Sequence, residues 1–157
     1  MIPSITAAQQ VSRTGEFDLD CDADTAFPLF SPQGERAWIK DWDPRPLFPE
    51  TIAFRKGTVF REGTGEEDAV WTIVDADWQQ HRAEYVRIAP ASHTAHIVVR
   101  VDAKGAGCSQ VVVSYTITAW GERAGTLLEA FSENAYATKM QNWQRMISGC
   151  MGKQKAL

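Results

Sequence analysis

This 157-residue chain has no basic cluster, no long apolar run and no cysteine pair, and each absence removes a class of function. Its 16 Lys and Arg are outnumbered by 20 Asp and Glu, for a net charge of −4, and they are scattered along the chain. Nucleic-acid binding needs a basic footprint to neutralise phosphates, so no nucleic-acid partner is expected. No apolar run approaches the roughly 18 residues of a membrane span. The start, MIPSITAAQQVSRTGEFDL, has neither the basic opening nor the apolar block of a signal peptide. Cys21, Cys108 and Cys150 are odd in number and widely spaced, without a C-x-x-C. They read as reduced thiols of a cytoplasmic protein, not as a disulfide framework.

Chemical signatures are equally sparse. No G-x-S-x-G, phosphate loop or dinucleotide fingerprint occurs, so no cofactor is expected. His93-x-x-His96 on a strand would place its two rings on opposite faces, and His81 falls in a turn. No Cys or carboxylate pattern completes a metal site, so none is expected.

The chain does have an ordinary globular composition, 44 % apolar and 23 % charged, and a length suited to one domain over 1–157. Its most unusual segment is Phe27–Pro49, which carries five of the seven prolines together with Phe27, Phe30, Trp38, Trp42 and Phe48. Five prolines exclude a long helix or a central strand, because proline fixes φ and donates no hydrogen bond. Five aromatic rings are too much apolar surface for a disordered linker. The segment therefore reads as an ordered, packed loop with short helical turns, in which Arg36 pairs with Asp41, Asp43 or Glu35 and pins the backbone.

The rest is strand pattern followed by helix pattern. A first strand runs from Thr6 to Leu19, and Asp22 or Asp24 caps a short helix through Phe30, which Pro32 ends. Thr58–Arg61, Ala69–Asp75, Arg82–Ile88, His96–Val101 and Ser109–Ala119 follow, separated by Gly-, Pro- and Asp-rich breaks, as in an antiparallel meander. Val111, Val113, Tyr115 and Ile117 share the apolar side of one strand, and Ala95, Ile97, Val99 and Val101 that of another. The parity of Trp71 and Tyr85 stays open, because Val70, Thr72 and Val74 form an almost equally apolar alternative. From about 125 to 151 a long helix places Leu128, Ala135, Tyr136, Met140, Trp143, Met146, Ile147 and Cys150 in one sector. Ser132 and Lys139 fall in that same sector. Such a lysine ordinarily snorkels, and if it faces a cavity it can hold a carboxylate or phenolate.

The string Phe30-Ser-Pro-x-Gly34-Glu35-Arg36-x-Trp38, then Trp42-Asp43-Pro44, resembles the START-like superfamily called SRPBCC. So do Gly57-Thr-Val-Phe60, Trp71, Tyr85, Pro90 and Tyr115-Thr-Ile-Thr-Ala ahead of a helix bearing Phe131, Tyr136, Met140 and Trp143. Bacterial polyketide cyclase/dehydrase-like members are the subgroup it resembles. The resemblance implies an α+β helix-grip fold. In that fold a curved antiparallel sheet wraps a long C-terminal helix, with two short helices after the first strand. It also implies a cavity between sheet and helix for an apolar ligand, and it transfers no catalytic motif.

On that footing, expected ligand contacts are Phe60, Trp71, Tyr85, Ile97, Val99, Val113 and Tyr115 from the sheet. The helical side adds Leu128, Phe131, Ser132 and Ala135, and Trp38 and Trp42 are expected to act as a lid. If the protein is an enzyme, Asp75, Tyr85, Arg87 and Tyr115 are the nearest acid–base candidates. Three functions compete: a carrier of a small lipid, aromatic or polyketide-like molecule, a cyclase or dehydratase, and a protein-interaction or chaperone-assisting domain. As a carrier its partner is a small apolar molecule and the protein a monomer or homodimer.

Overall fold

A computed structural model describes residues 7–155. Seven strands form a single antiparallel sheet in the order β1-β7-β6-β5-β4-β3-β2. They are β1 (Gln9–Leu19), β2 (Arg45–Phe48), β3 (Val59–Glu62), β4 (Ala69–Asp77), β5 (Arg82–Ala89), β6 (His93–Ala103) and β7 (Ser109–Ala119). Three helices complete it: α1 (Ala23–Ala26), α2 (Ala124–Glu129) and α3 (Glu133–Lys155). This is the helix-grip order expected from the sequence. The expected start of β1 at Thr6 lies outside the described residues.

Alternation decides the layers. On β7, Val111, Val113, Tyr115, Ile117 and Ala119 are buried, whereas the intervening hydroxyls face out. Those hydroxyls pair across to β1: Ser114 with Thr14 and Thr116 with Ser12, each at 2.9 Å. β6 buries Ala95, Ile97, Val99 and Val101 in the same way. The open parity resolves in favour of Trp71 and Tyr85, at 7 % and 5 % exposure, and Val70 and Val74 face solvent. Trp71 lies opposite Phe60 in the β3–β4 register and their rings stack at 5.6 Å, an aromatic contact that valine does not replace. A bulge between Ile73 and Asp75 then resets the register against β5.

The proline-rich segment holds turns and one short strand. Asp22 caps α1, its carboxylate accepting from Thr25 N at 2.8 Å, and a 3₁₀ turn over Phe27–Phe30 continues from it. A second 3₁₀ turn covers Gly34–Ala37. Gly34 admits no side chain, because a Cβ there would sit 1.9 Å from the Pro28 carbonyl oxygen. β2, which sequence patterning missed, contains Pro46 and lies at the sheet edge, where a missing N–H does no harm. Arg36 reaches Asp43 at 3.4 Å and donates to Pro44 O at 3.1 Å, pinning the loop as expected.

The C-terminal helix is broken where one continuous helix was expected. Ser132 separates α2 from α3, and its hydroxyl accepts from Ala135 N at 3.2 Å, the work of an N-cap serine. Across the sheet, α3 lies against β1 at Gly15, where a Cβ would come 2.7 Å from Met140 Cγ and 3.0 Å from a Tyr136 ring carbon. Tyr136 donates its hydroxyl to Val113 O. Tyr136, Met140 and Ile147 are the buried side of α3, and Met146 is 40 % exposed.

Candidate functional site

Behind α3 the sheet leaves a cavity of about 240 Å³. Its walls are mostly carbon: Phe60, Trp71, Tyr85, Ile97, Val99 and Tyr115 from the sheet, Trp143 and Met146 from α3, Ile39 and Trp42 from the loop. Three charged side chains also line it: Glu35, Arg87 and Lys139.

Each charged group arrives by a different route. Arg87 follows Tyr85 by two residues on β5, so the pleat turns both to the inner face. Its guanidinium lies 5.1 Å from the Trp71 ring centroid. Lys139, one turn of α3 after Ala135, points its ammonium among three rings, 4.6 Å from Tyr115, 4.7 Å from Phe131 and 5.6 Å from Trp143. It does not snorkel to water. Glu35 is delivered by the second 3₁₀ turn, which its own amide anchors by donating to Ser31 O at 3.0 Å.

Burial governs the electrostatics. It pushes the Lys139 ammonium down to about 8, with the Arg87 cation adding to the fall and Glu35 opposing it. The Glu35 carboxyl is held well above the ordinary carboxylate range by desolvation and then by the Glu62 charge, with Lys139 pulling the other way. Tyr115 is pushed up to about 12, again chiefly by burial. Tyr85 is also held well above its ordinary value, first by burial and then by the Glu35 charge, and donates its hydroxyl to Phe30 O at 2.6 Å. Among the described residues, no carboxylate oxygen lies within 4.0 Å of Lys139 or Arg87, and the buried atoms Trp71 Nε1 and Arg87 Nε have no hydrogen-bond partner.

Of the residues expected to contact a ligand, the structure brings Trp42, Phe60, Trp71, Tyr85, Ile97, Val99 and Tyr115 to the cavity. Val113 lies further along the inner face, where its carbonyl takes the Tyr136 hydroxyl. Phe131 packs at 5.5 Å from Tyr115, behind the Lys139 ammonium. Leu128 and Ala135 do not line the cavity, and Ser132 is exposed and serves as the helix cap. Asp75 sits past the β4 bulge, away from the cavity, while Arg87 and the two tyrosines are in it. Trp38 is a packing residue. It is 6 % exposed, donates to Leu29 O at 2.8 Å and meets Phe30 and Trp143 edge-on. Trp42 covers the cavity, edge-on to Phe60 and Trp71, with its indole N–H on Pro32 O at 2.9 Å.

Glu35 was missed as a site residue. Its signal lay in the neighbouring glycine, whose tight turn aims the next side chain inward, but that aim exists only once the loop is packed. His93 is buried against Ser92, with Nδ1 to Oγ at 2.7 Å, while His96 is exposed and paired with Glu84. Among the described residues, no group of three His, Cys, Asp or Glu could hold a metal. Likewise, no described helix is long and apolar enough to cross a membrane.

Two other depressions flank the site. A cleft of about 680 Å³ is lined largely by charged groups, among them Asp41, Asp43, Arg45, Glu62 and Glu67, and it shares Arg87 with the cavity. A second, of about 510 Å³, runs between β1 and α3. The carbon-lined cavity differs from both in the number of aromatic rings in its wall, with Phe60, Trp71, Tyr85, Tyr115, Trp42 and Trp143 around three charged groups.

No family model matches the chain, and no curated protein matches it. Solved structures do. Norcoclaurine synthase from Thalictrum flavum in complex with dopamine and hydroxybenzaldehyde superposes with a TM-score of 0.63 at 10 % identity, covering 93 % of this chain and 88 % of that one. Ara h 8.0201 gives 0.62 at 14 %, covering 90 % and 97 %. The Mll3558 protein from Rhizobium loti gives 0.63 at 15 %, covering 92 % and 99 %. At these identities the likeness establishes the fold, which is the helix-grip fold of START-like proteins.

Proposed function

We propose that this protein binds a small, largely apolar molecule between the sheet and α3. The observation that carries this reading is the 240 Å³ cavity walled by Trp42, Phe60, Trp71, Tyr115 and Trp143. Pockets for drug-sized ligands span roughly 300–1,000 Å³, so this one suits a molecule of one or two rings. The likeness to a norcoclaurine synthase holding two aromatic molecules supports the same reading. Titration with neutral aromatics such as 2-naphthamide, followed by tryptophan fluorescence and by the melting temperature, tests it. Saturable binding is expected, and Val99→Phe should abolish it by filling the cavity. Binding that survives this block places the ligand elsewhere and sinks the proposal.

A second reading, a cyclase or dehydratase acting on an aromatic or polyketide-like substrate, is favoured by the convergence of Glu35, Arg87 and Lys139 on one apolar space. A carboxyl raised by burial and an amine lowered by it, lining the same cavity, are the kind of groups acid–base chemistry uses. Turnover that Glu35→Gln leaves unchanged would count against it. The protein-interaction reading asked for a contiguous aromatic patch on the Phe27–Pro49 loop. Phe27, Phe30 and Trp38 are buried there and only Phe48 is well exposed, which weighs against it.

A further inference from the structure

We infer that the ligand of this cavity is a small aromatic carboxylate, its rings lying among the tryptophans and its carboxylate accepting from Lys139 and Arg87. This rests on the cavity being the ligand site, and it adds the ligand's charge and polar chemistry.

The reason is an imbalance between donors and acceptors. Trp71 is 7 % exposed and its indole N–H has no acceptor; Arg87 Nε is buried and has none either. Lys139 faces three aromatic rings, and no carboxylate of the described residues lies within 4.0 Å of it. The tyrosine hydroxyl of residue 85 is already committed to Phe30 O. A neutral hydrocarbon would leave these donors buried and unmatched, which is costly. A cation would meet two cations. An aromatic carboxylate supplies the missing acceptor and the missing charge together, in the strong form that charge-assisted hydrogen bonds take.

Protonation favours the same ligand. Lys139, near 8, is mostly charged at neutral pH, and burial shifts Glu35 toward its neutral form. As pH rises, loss of the ammonium and ionisation of Glu35 both oppose an anion. The other groups around the pair are Arg87 and Tyr85 on β5, Tyr115 on β7 and Glu62 on β3, which acts on Glu35. Tyr115, near 12, stays neutral through this range.

The test compares 2-naphthoate with 2-naphthamide, which share their rings and differ in charge, by calorimetry on the intact protein. At pH 6.5 naphthoate should bind at least about tenfold tighter, the scale of one charge-assisted hydrogen bond. That preference should shrink markedly by pH 9.5. Lys139→Met and Lys139→Gln, each checked for native circular dichroism, should bring the two ligands to within about threefold. The pH comparison on the unaltered protein holds even if both variants misfold. Equal affinities at pH 6.5, or a preference that neither pH nor the variants disturb, overturn the inference while leaving the cavity reading in place. If neither compound binds, the cavity reading fails and this inference fails with it.

Discussion

Replacing Lys139 with Met should stabilise the protein at neutral pH, although it removes a side chain that touches three rings. The ammonium titrates near 10.5 in an ordinary setting and near 8 in the folded protein, mainly because burial penalises its charge. At about 1.4 kcal/mol per pH unit, that gap makes the charged lysine cost about 3 kcal/mol. Contact with the rings of Tyr115, Phe131 and Trp143 gives part of this back, about 1–2 kcal/mol for a largely desolvated cation. Methionine keeps most of the stem's packing without the charge. The net expectation is a gain of about 1–2 kcal/mol at pH 7. The sign with pH follows from linkage. Below pH 8 the lysine is protonated in both folded and unfolded chains, and the cost is fully present. Between 8 and 10.5 the unfolded chain binds the extra proton, so the native protein gains stability as pH rises and its deficit against the variant closes. Urea denaturation of both proteins at pH 7 and pH 10, read by far-ultraviolet circular dichroism, measures this difference, and titrations common to both cancel. A variant no more stable at pH 7, with a gap that does not narrow at pH 10, would refute the buried-ammonium reasoning. A lysine that costs stability where methionine would pack is a mark of a functional position.

Two further predictions concern the frame of the site. His93 is buried and held near 4, below its ordinary 6.5, so the unfolded chain takes up its proton first as pH falls. Its contribution is present above pH 6.5 and lost toward pH 4, about 2–3 kcal/mol in all. His93→Gln should flatten that part of the stability–pH curve, and an unchanged curve would show that another group is responsible. Gly34→Ala should cost about 3 kcal/mol or more and Gly15→Ala about 1 kcal/mol, because the first methyl meets the Pro28 backbone carbonyl and the second only side-chain atoms, of Met140 and Tyr136. Urea melts rank the two, and the reverse order would contradict the close approach at Gly34.

The architecture was largely legible because it depends on local alternation. On β7 every second residue is apolar, and a strand pleat can bury only one such set. The strand Ser109–Ala119 matches its expected ends, and β3 to β6 match theirs to within a few residues. Reading failed where a local signal was masked by a stronger one. β2 hides among prolines that disfavour strands, and only its edge position makes it tolerable. The single helix expected from 125 to 151 is two, because the cap at Ser132 is an isolated side-chain hydrogen bond that does not disturb the apolar sector around it.

By itself, then, the sequence determined the order of elements, the inward faces of β6 and β7, and a packed aromatic loop after the first strand. Each of these is set by neighbours close in the chain. Tertiary structure decided the chemistry. The facing of Trp71 and Tyr85 depends on the register with β3 and β5, and with it the inward aim of Arg87. Glu35, Arg87 and Lys139 follow one another at intervals of about fifty residues, on a turn, a strand and a helix, and no local pattern joins them. They meet because α3 closes over the sheet. Only that enclosure excludes the water that would otherwise screen them, raising the carboxyl's pKa and loosening the ammonium's proton.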